Sequence, residues 1–116
     1  QGIIAKKEII NGISVFKLIE SDISSDMVKD IAFQLKGQFP EKMCFVAGTS
    51  LNGKANIVVM LSDDLVEKGL HAGNLVRQAA KFIQGGGGGQ PHFATAGGKN
   101  IDGLASAVEW ILKNLE

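Results

Sequence analysis

Residues 13–19 alternate, with Ile13, Val15, Lys17 and Ile19 on one side and Ser14, Phe16, Leu18 and Glu20 on the other. Both sides carry apolar residues, which suits a strand partly buried on both faces. Residues 3–5 read as a strand before it, and Asn11-Gly12 between the two is a strong hairpin signal. The period then changes. Met27, Val28, Ile31, Ala32, Leu35 and Phe39 recur at helical spacing, with Ser24 or Ser25 as cap, Asp26 in the first turn, and Gly37 and Pro40 at the end. Residues 43–47 and 56–61 are continuous apolar runs, read as interior strands joined by an Asn52-Gly53 hairpin. Asp63-Asp64 opens a turn or a one-turn helix through Lys68. Residues 74–83 predict a helix with Leu75, Val76, Ala79, Ala80 and Ile83 on one side. Arg77 and Lys81, four apart, share its opposite face. A last helix, capped by Asn100, carries Leu104, Ala107, Val108, Ile111, Leu112 and Leu115.

The predicted order is β-β-α-β-β-α, a glycine-rich loop over 85–98, then α. A helix between strands implies a crossover and some parallel pairing, whereas the hairpins imply antiparallel pairing. The expected fold is α/β (α+β). It is a single domain over 1–116 with a mixed sheet of about four to five strands covered by about three helices. No internal repeat or interdomain linker interrupts it.

Composition sharpens this picture. The chain has 116 residues, 45% apolar and 21% charged, the balance of one globular domain rather than a disordered segment. Lys plus Arg is 12 and Asp plus Glu is 12, which excludes a strongly basic nucleic-acid arm or a polybasic membrane segment but leaves local basic patches open. No apolar stretch approaches the roughly 18 residues of a membrane span, and no signal peptide opens the chain. Gln1 rather than Met stands first, so the sequence reads as a piece of a longer protein. Cys44 is the single cysteine, which leaves no intrachain disulfide and no multi-cysteine zinc site. It lies in the apolar run MCFVAG, which predicts a buried reduced thiol and fits a cytosolic compartment.

Known catalytic signatures fail. Residues 48–54, Gly-Thr-Ser-Leu-Asn-Gly-Lys, match the first seven positions of a phosphate-binding loop after a strand. Ala55 then stands where Ser or Thr must ligate magnesium, and a strand-like segment follows where a helix is needed. The G-x-G-x-x-G spacing is absent. His71 and His92 are far apart without a carboxylate at metal-ligand spacing. No G-x-S-x-G elbow occurs, and Asp63-Asp64 reads as a helix start. No ligase, ATPase or deacylase activity is expected of this chain by itself.

Glycine is the outlier, with 15 residues and an unbroken run from Gly85 to Gly89. Ordering such a run costs free energy, because its unfolded form is so free. A helix precedes it, Pro91 follows it, and Gly97-Gly98 lies close by, just before a helix N-terminus whose amides would face outward. Lys81 and Lys99 flank the two clusters. Two readings stay open: a platform for an anion or a nucleic-acid backbone, and tight internal packing of a loop on the sheet.

The segment GGGGGQPHFATAGG over 85–98, with HAGNLVR over 71–77, resembles the C-terminal domain of alanyl-tRNA synthetase, a DHH-associated domain. The family pattern is a glycine run, a basic residue, Pro, an acidic residue, then Ala and Gly-Gly before a final helix. Ala72-Gly73 matches its Ala-Gly at the start of the preceding helix. Gln90 replaces the usual Arg or Lys and His92 the usual Asp, so a salt bridge between those positions is absent. The resemblance implies a non-catalytic tRNA-binding module that contacts the tRNA elbow and supports aminoacylation and editing. Its implied RNA-binding residues are Arg77, Lys81, Gly85, Gly86, Gly87, Gly88, Gly89, Gln90, Pro91, His92, Gly97, Gly98 and Lys99, with no catalytic or metal residue. The implied partner is tRNA-Ala, without DNA or membrane, in the cytoplasm, and a homodimer is allowed. The full-length enzyme would be an ATP-dependent alanine–tRNA ligase using magnesium and zinc, while this piece needs no cofactor. The alternatives are the substrate-binding domain of a DHH-type phosphoesterase acting on short oligonucleotides, and a dimerisation domain without RNA contact.

Overall fold

The computed structural model describes residues 6–115. The predicted strand over 3–5 lies outside them. Strand β1 (Lys6–Ile10) pairs antiparallel with β2 (Ile13–Ser21) through Asn11 and Gly12, whose φ values of 52° and 81° suit a two-residue turn. Helix α1 (Ser25–Gln38) follows, with the Ser24 hydroxyl accepting from the Met27 amide at 3.3 Å. It is the crossover that lets β3 (Met43–Leu51) run parallel to β2. Strand β4 (Lys54–Leu61) returns antiparallel through Asn52 and Gly53, again at positive φ. Residues 48–54 are thus a hairpin rather than a phosphate loop.

Helix α2 (Asp63–Glu67) is the predicted one-turn helix. Helix α3 (Ala72–Ala79) starts two residues before the predicted 74 and tightens into a 3-10 turn over Ala80–Ile83. Helix α4 (Leu104–Lys113) ends the fold. Asn100 does not cap it. Its Nδ2 donates to the Phe82 carbonyl at 3.1 Å, and a short 3-10 turn intervenes before α4.

The glycine segment is the main departure from expectation. It is a hairpin of two strands, β5 (Gly85–Gly89) and β6 (Phe93–Gly98), and not a loop. Among the described residues the sheet therefore has six strands in the order β1-β2-β3-β4-β6-β5, with four α-helices rather than about three. Strand β5 forms because β6 approaches it closely. A Cβ on Gly85 would meet the Gly97 carbonyl, one on Gly87 the Ala96 backbone, and one on Gly89 would lie 2.8 Å from the Ala94 Cα. Glycine, a poor strand former in isolation, is what this pairing admits.

Two cores sandwich the sheet. Helices α3 and α4 cover one face, burying Val15, Cys44, Val46, Ile57, Val59 and Leu61 against Val76, Ile83, Val108 and Ile111. Burial there pushes the Cys44 thiol up to about 12. Helix α1 covers the other face, over Phe45, Ala47, Val58 and Met60. It packs on β3 and β4 and reaches β6 at Phe93, beyond which β6 and β5 are open on that side.

Candidate nucleic-acid interface

The two glycine clusters pair directly, Gly85 with Gly98 and Gly86 with Gly97. Not every glycine in this hairpin is demanded by packing. Nothing lies within 4 Å of where a Cβ on Gly86 would sit, and one on Gly97 would make only ordinary contact with Asn56 Oδ1 at 3.6 Å. These two form the bare floor of an open cleft of about 400 Å³. Its other walls include Thr95 and Gly88, Asn56 of β4, and Lys29 of α1. Direct cross-strand neighbours share a face, so Thr49, Asn56, Gly97 and Gly86 form one row across four strands.

The hairpin is pinned from below by α3. The turn at its tip closes with the Gln90 amide donating to the Phe93 carbonyl at 2.9 Å. The Ala72 amide donates to the Pro91 carbonyl at 2.8 Å and the Gly73 amide to the Gln90 carbonyl at 3.2 Å. The Asn74 amide donates to His71 Nδ1 at 3.1 Å, which makes His71 the N-cap. The first amides of α3 are therefore satisfied within the protein and hold the tip of the hairpin. The His92 carbonyl accepts from the Leu61 amide at 2.8 Å, extending the β4–β6 ladder. Gln90, Pro91 and His92 thus act here through their backbones. The amides just beyond Gly98 do not face outward as predicted, since those of Lys99 and Asn100 both donate to the Ile83 carbonyl at 2.9 Å.

The three predicted cations separate. Arg77 lies against the glycine strand, its Nη2 3.8 Å from where a Cβ on Gly88 would be, and its Nη1 donates to Asn74 Oδ1 at 3.2 Å. Lys81 turns to Gln78 Oε1 at 3.0 Å, and Lys99 is exposed past Gly98, away from the Gln90–His92 tip. Neither lysine lines the cleft. Lys29 does, and sequence reasoning missed it because α1's polar flank reads as ordinary solvated surface. Asn56, a polar residue inside an otherwise apolar strand, was the one visible signal for the cleft wall.

Among the described residues, no three His, Cys, Asp or Glu side chains converge in a way that could hold a metal ion. No described helix is long and apolar enough to cross a membrane. Residues 48–54 lack the helix that would hold nucleotide phosphates.

The DHHA1 domain family matches residues 11–116. The alanine–tRNA ligase of Bacteroides thetaiotaomicron is 60% identical over 104 residues, covering 90% of this chain and 12% of that protein. That of Parabacteroides distasonis is 53% identical over 106 residues, covering 91% and 12%. The chain thus spans about 12% of the length of the curated relatives it matches. Among solved structures, the C-Ala domain from Aquifex aeolicus alanyl-tRNA synthetase superposes with a TM-score of 0.85 at 24% identity, covering 95% of this chain and 97% of that one. A DHH domain from the s1p family of ribosomal proteins gives 0.65 at 16% identity, covering 96% and 27%. These two likenesses show the fold alone.

Proposed function

This chain belongs to the DHHA1 domain family, in the form that alanine–tRNA ligases carry, and on that premise we propose that it is the tRNA-binding C-terminal domain of such a ligase. It contacts the elbow of tRNA-Ala and so supports aminoacylation and editing by the rest of a cytoplasmic enzyme. ATP, magnesium and zinc belong on this reading to other parts of that enzyme.

The observation that carries the proposal is the open glycine at position 86. Gly85, Gly87 and Gly89 are explained by the closeness of β6, but the fold leaves room for a side chain at Gly86. An unconstrained glycine in a strand costs roughly 0.5–1 kcal/mol relative to a residue with a side chain. A contact from outside that needs a bare backbone accounts for keeping it. Elbow RNA is read by shape, stacking and backbone contact, which a neutral domain with local cations can supply.

The test compares Gly86→Val with Gly87→Val. Gly86→Val is expected to keep the thermal midpoint and lose tRNA-Ala affinity, measured at stated salt against a tRNA lacking its elbow loops. Gly87→Val is expected to lower the midpoint, because its Cβ collides with the Ala96 backbone. Unchanged affinity in a folded Gly86→Val protein would sink the proposal.

A further inference from the structure

The flank of α1 that faces the cleft carries more than Lys29. Phe33 follows one helical turn later, at the i,i+4 position, and so on the same side of the helix. It is 55% exposed, unusually open for a phenylalanine. Its ring is not free-standing, because it packs on Phe93 with centroids 5.4 Å apart and planes tilted by 35°. Phe93 and Thr95 are two apart on β6 and therefore share a face, so the aromatic pair continues the cleft floor along the strand. Lone exposed apolar residues are ordinary. A backed aromatic surface next to an unpaired cation and a bare strand is a different arrangement.

Polar groups in the same place lack partners. Lys29 forms no ion pair with another described residue. The Asn56 carboxamide, on the cleft wall, makes no hydrogen bond to a described residue. Behind it in the cross-strand row, the Thr49 hydroxyl is fully buried and unpartnered. A protein partner covering Phe33 would need the apolar surface to continue, yet it gives way at once to Thr95, Asn56, Lys29 and bare peptide. A cleft of about 400 Å³ is the size of a small-ligand site, suited to one nucleotide rather than to a helical groove.

Building on the tRNA-binding reading, we propose that the α1 side of the cleft receives one unstacked nucleotide of the RNA. Its base stacks on Phe33, its phosphate lies between Lys29 and the glycine floor, and the Asn56 carboxamide hydrogen-bonds to the sugar or base edge. Unstacked bases on aromatic side chains, with cations tracking the backbone, are the usual chemistry of single-stranded RNA recognition.

The experiment measures binding of an unmodified tRNA-Ala transcript by this chain at several salt concentrations, with thermal midpoints as a check on folding. Phe33→Leu keeps the apolar bulk and removes the aromatic face. It is expected to lose roughly 5-fold or more in affinity, with the salt slope unchanged. Phe33→Trp should retain parental affinity. Lys29→Gln should flatten the log–log salt slope by about 0.7, the contribution of one single-strand phosphate. Suppose the parent binds and Gly86→Val does not, while Phe33→Leu and Lys29→Gln both match the parent. The nucleotide site is then overturned and the tRNA reading stands. Equal losses in Phe33→Leu and Phe33→Trp with lowered midpoints would also overturn it, by showing a structural role. A parent that binds no tRNA removes both.

Discussion

Gly73 lies directly beneath Gly89: a Cβ on Gly73 would sit 2.7 Å from the Gly89 carbonyl oxygen and 2.8 Å from the His71 ring. The start of α3 and the end of β5 are thereby locked together, with the Gly73 amide also bonded to Gln90. Gly→Ala in a helix ordinarily stabilises by about 0.5–1 kcal/mol. At Gly73 the sign should reverse, because a backbone carbonyl cannot swing aside as a side chain can. Gly73→Ala is expected to destabilise by about 1–3 kcal/mol, as overpacking does. Gly37, exposed on α1 with nothing near its Cβ position, is the control, and Gly37→Ala is expected to stabilise by about 0.5–1 kcal/mol. Denaturant midpoints of both variants check this, and a stabilised Gly73→Ala protein would contradict the locking.

Legibility from sequence followed periodicity. The buried positions of α4, such as Val108 and Ile111, and the strand runs around Val46 and Val59 were readable because their patterns are fixed by which side faces the core. Both hairpin turns were readable because Asn-Gly marks positive φ locally. Gly85–Gly89 was not readable as a strand. Strand preference is expressed through side chains packing on neighbours, and glycine has none. What makes β5 a strand is the backbone of β6, 5 to 13 residues away in the paired register, and the anchoring of its tip by α3. The same limit hid Lys29. Its helix was readable, but what lies across from its polar flank depends on where β6 falls in the sheet.

Asp64 ties the start of β3 to the end of β4. Its carboxylate accepts the Lys42 amide at 3.0 and 3.2 Å and the Ser62 hydroxyl at 2.6 Å, while Ser62 Oγ accepts the Met43 amide at 3.0 Å. Desolvation pushes the Asp64 carboxyl up, but hydrogen bonds from Ser62 and from the Lys42, Asp64 and Leu65 amides outweigh it and hold it below the usual carboxylate range. A carboxyl depressed in the folded state binds protons first in the unfolded state. Its stabilisation is therefore complete above the unfolded value of about 4 and is lost as pH falls through the folded one. Asp64→Asn is expected to cost about 1 kcal/mol at pH 7, a modest figure because the group is largely solvated. The cost should shrink toward pH 2. Unfolding midpoints of parent and variant between pH 2 and pH 7 check it, and a pH-independent difference would remove the carboxylate from the account.

The basic residues around the hairpin are separable by position, and so should be their effects. Arg77 approaches the glycine strand at Gly88, one of the residues lining the cleft. Lys81 already bonds Gln78, and Lys99 stands past the far end of the hairpin from its tip. A cation that neutralises a phosphate contributes roughly 0.7–0.9 to the magnitude of the log–log salt slope, nearly independently of RNA sequence. Arg77→Ala is thus expected to weaken tRNA binding and flatten the slope by about that amount. The Lys81→Ala, Lys99→Ala pair should do less than the single Arg77 change. All three side chains are exposed, so stability should move by less than about 0.5 kcal/mol. Affinities over a salt series decide between the two ends of the hairpin. If the lysine pair flattens the slope more than Arg77→Ala does, the RNA lies over the Gly85–Gly98 end and the cleft is not its seat.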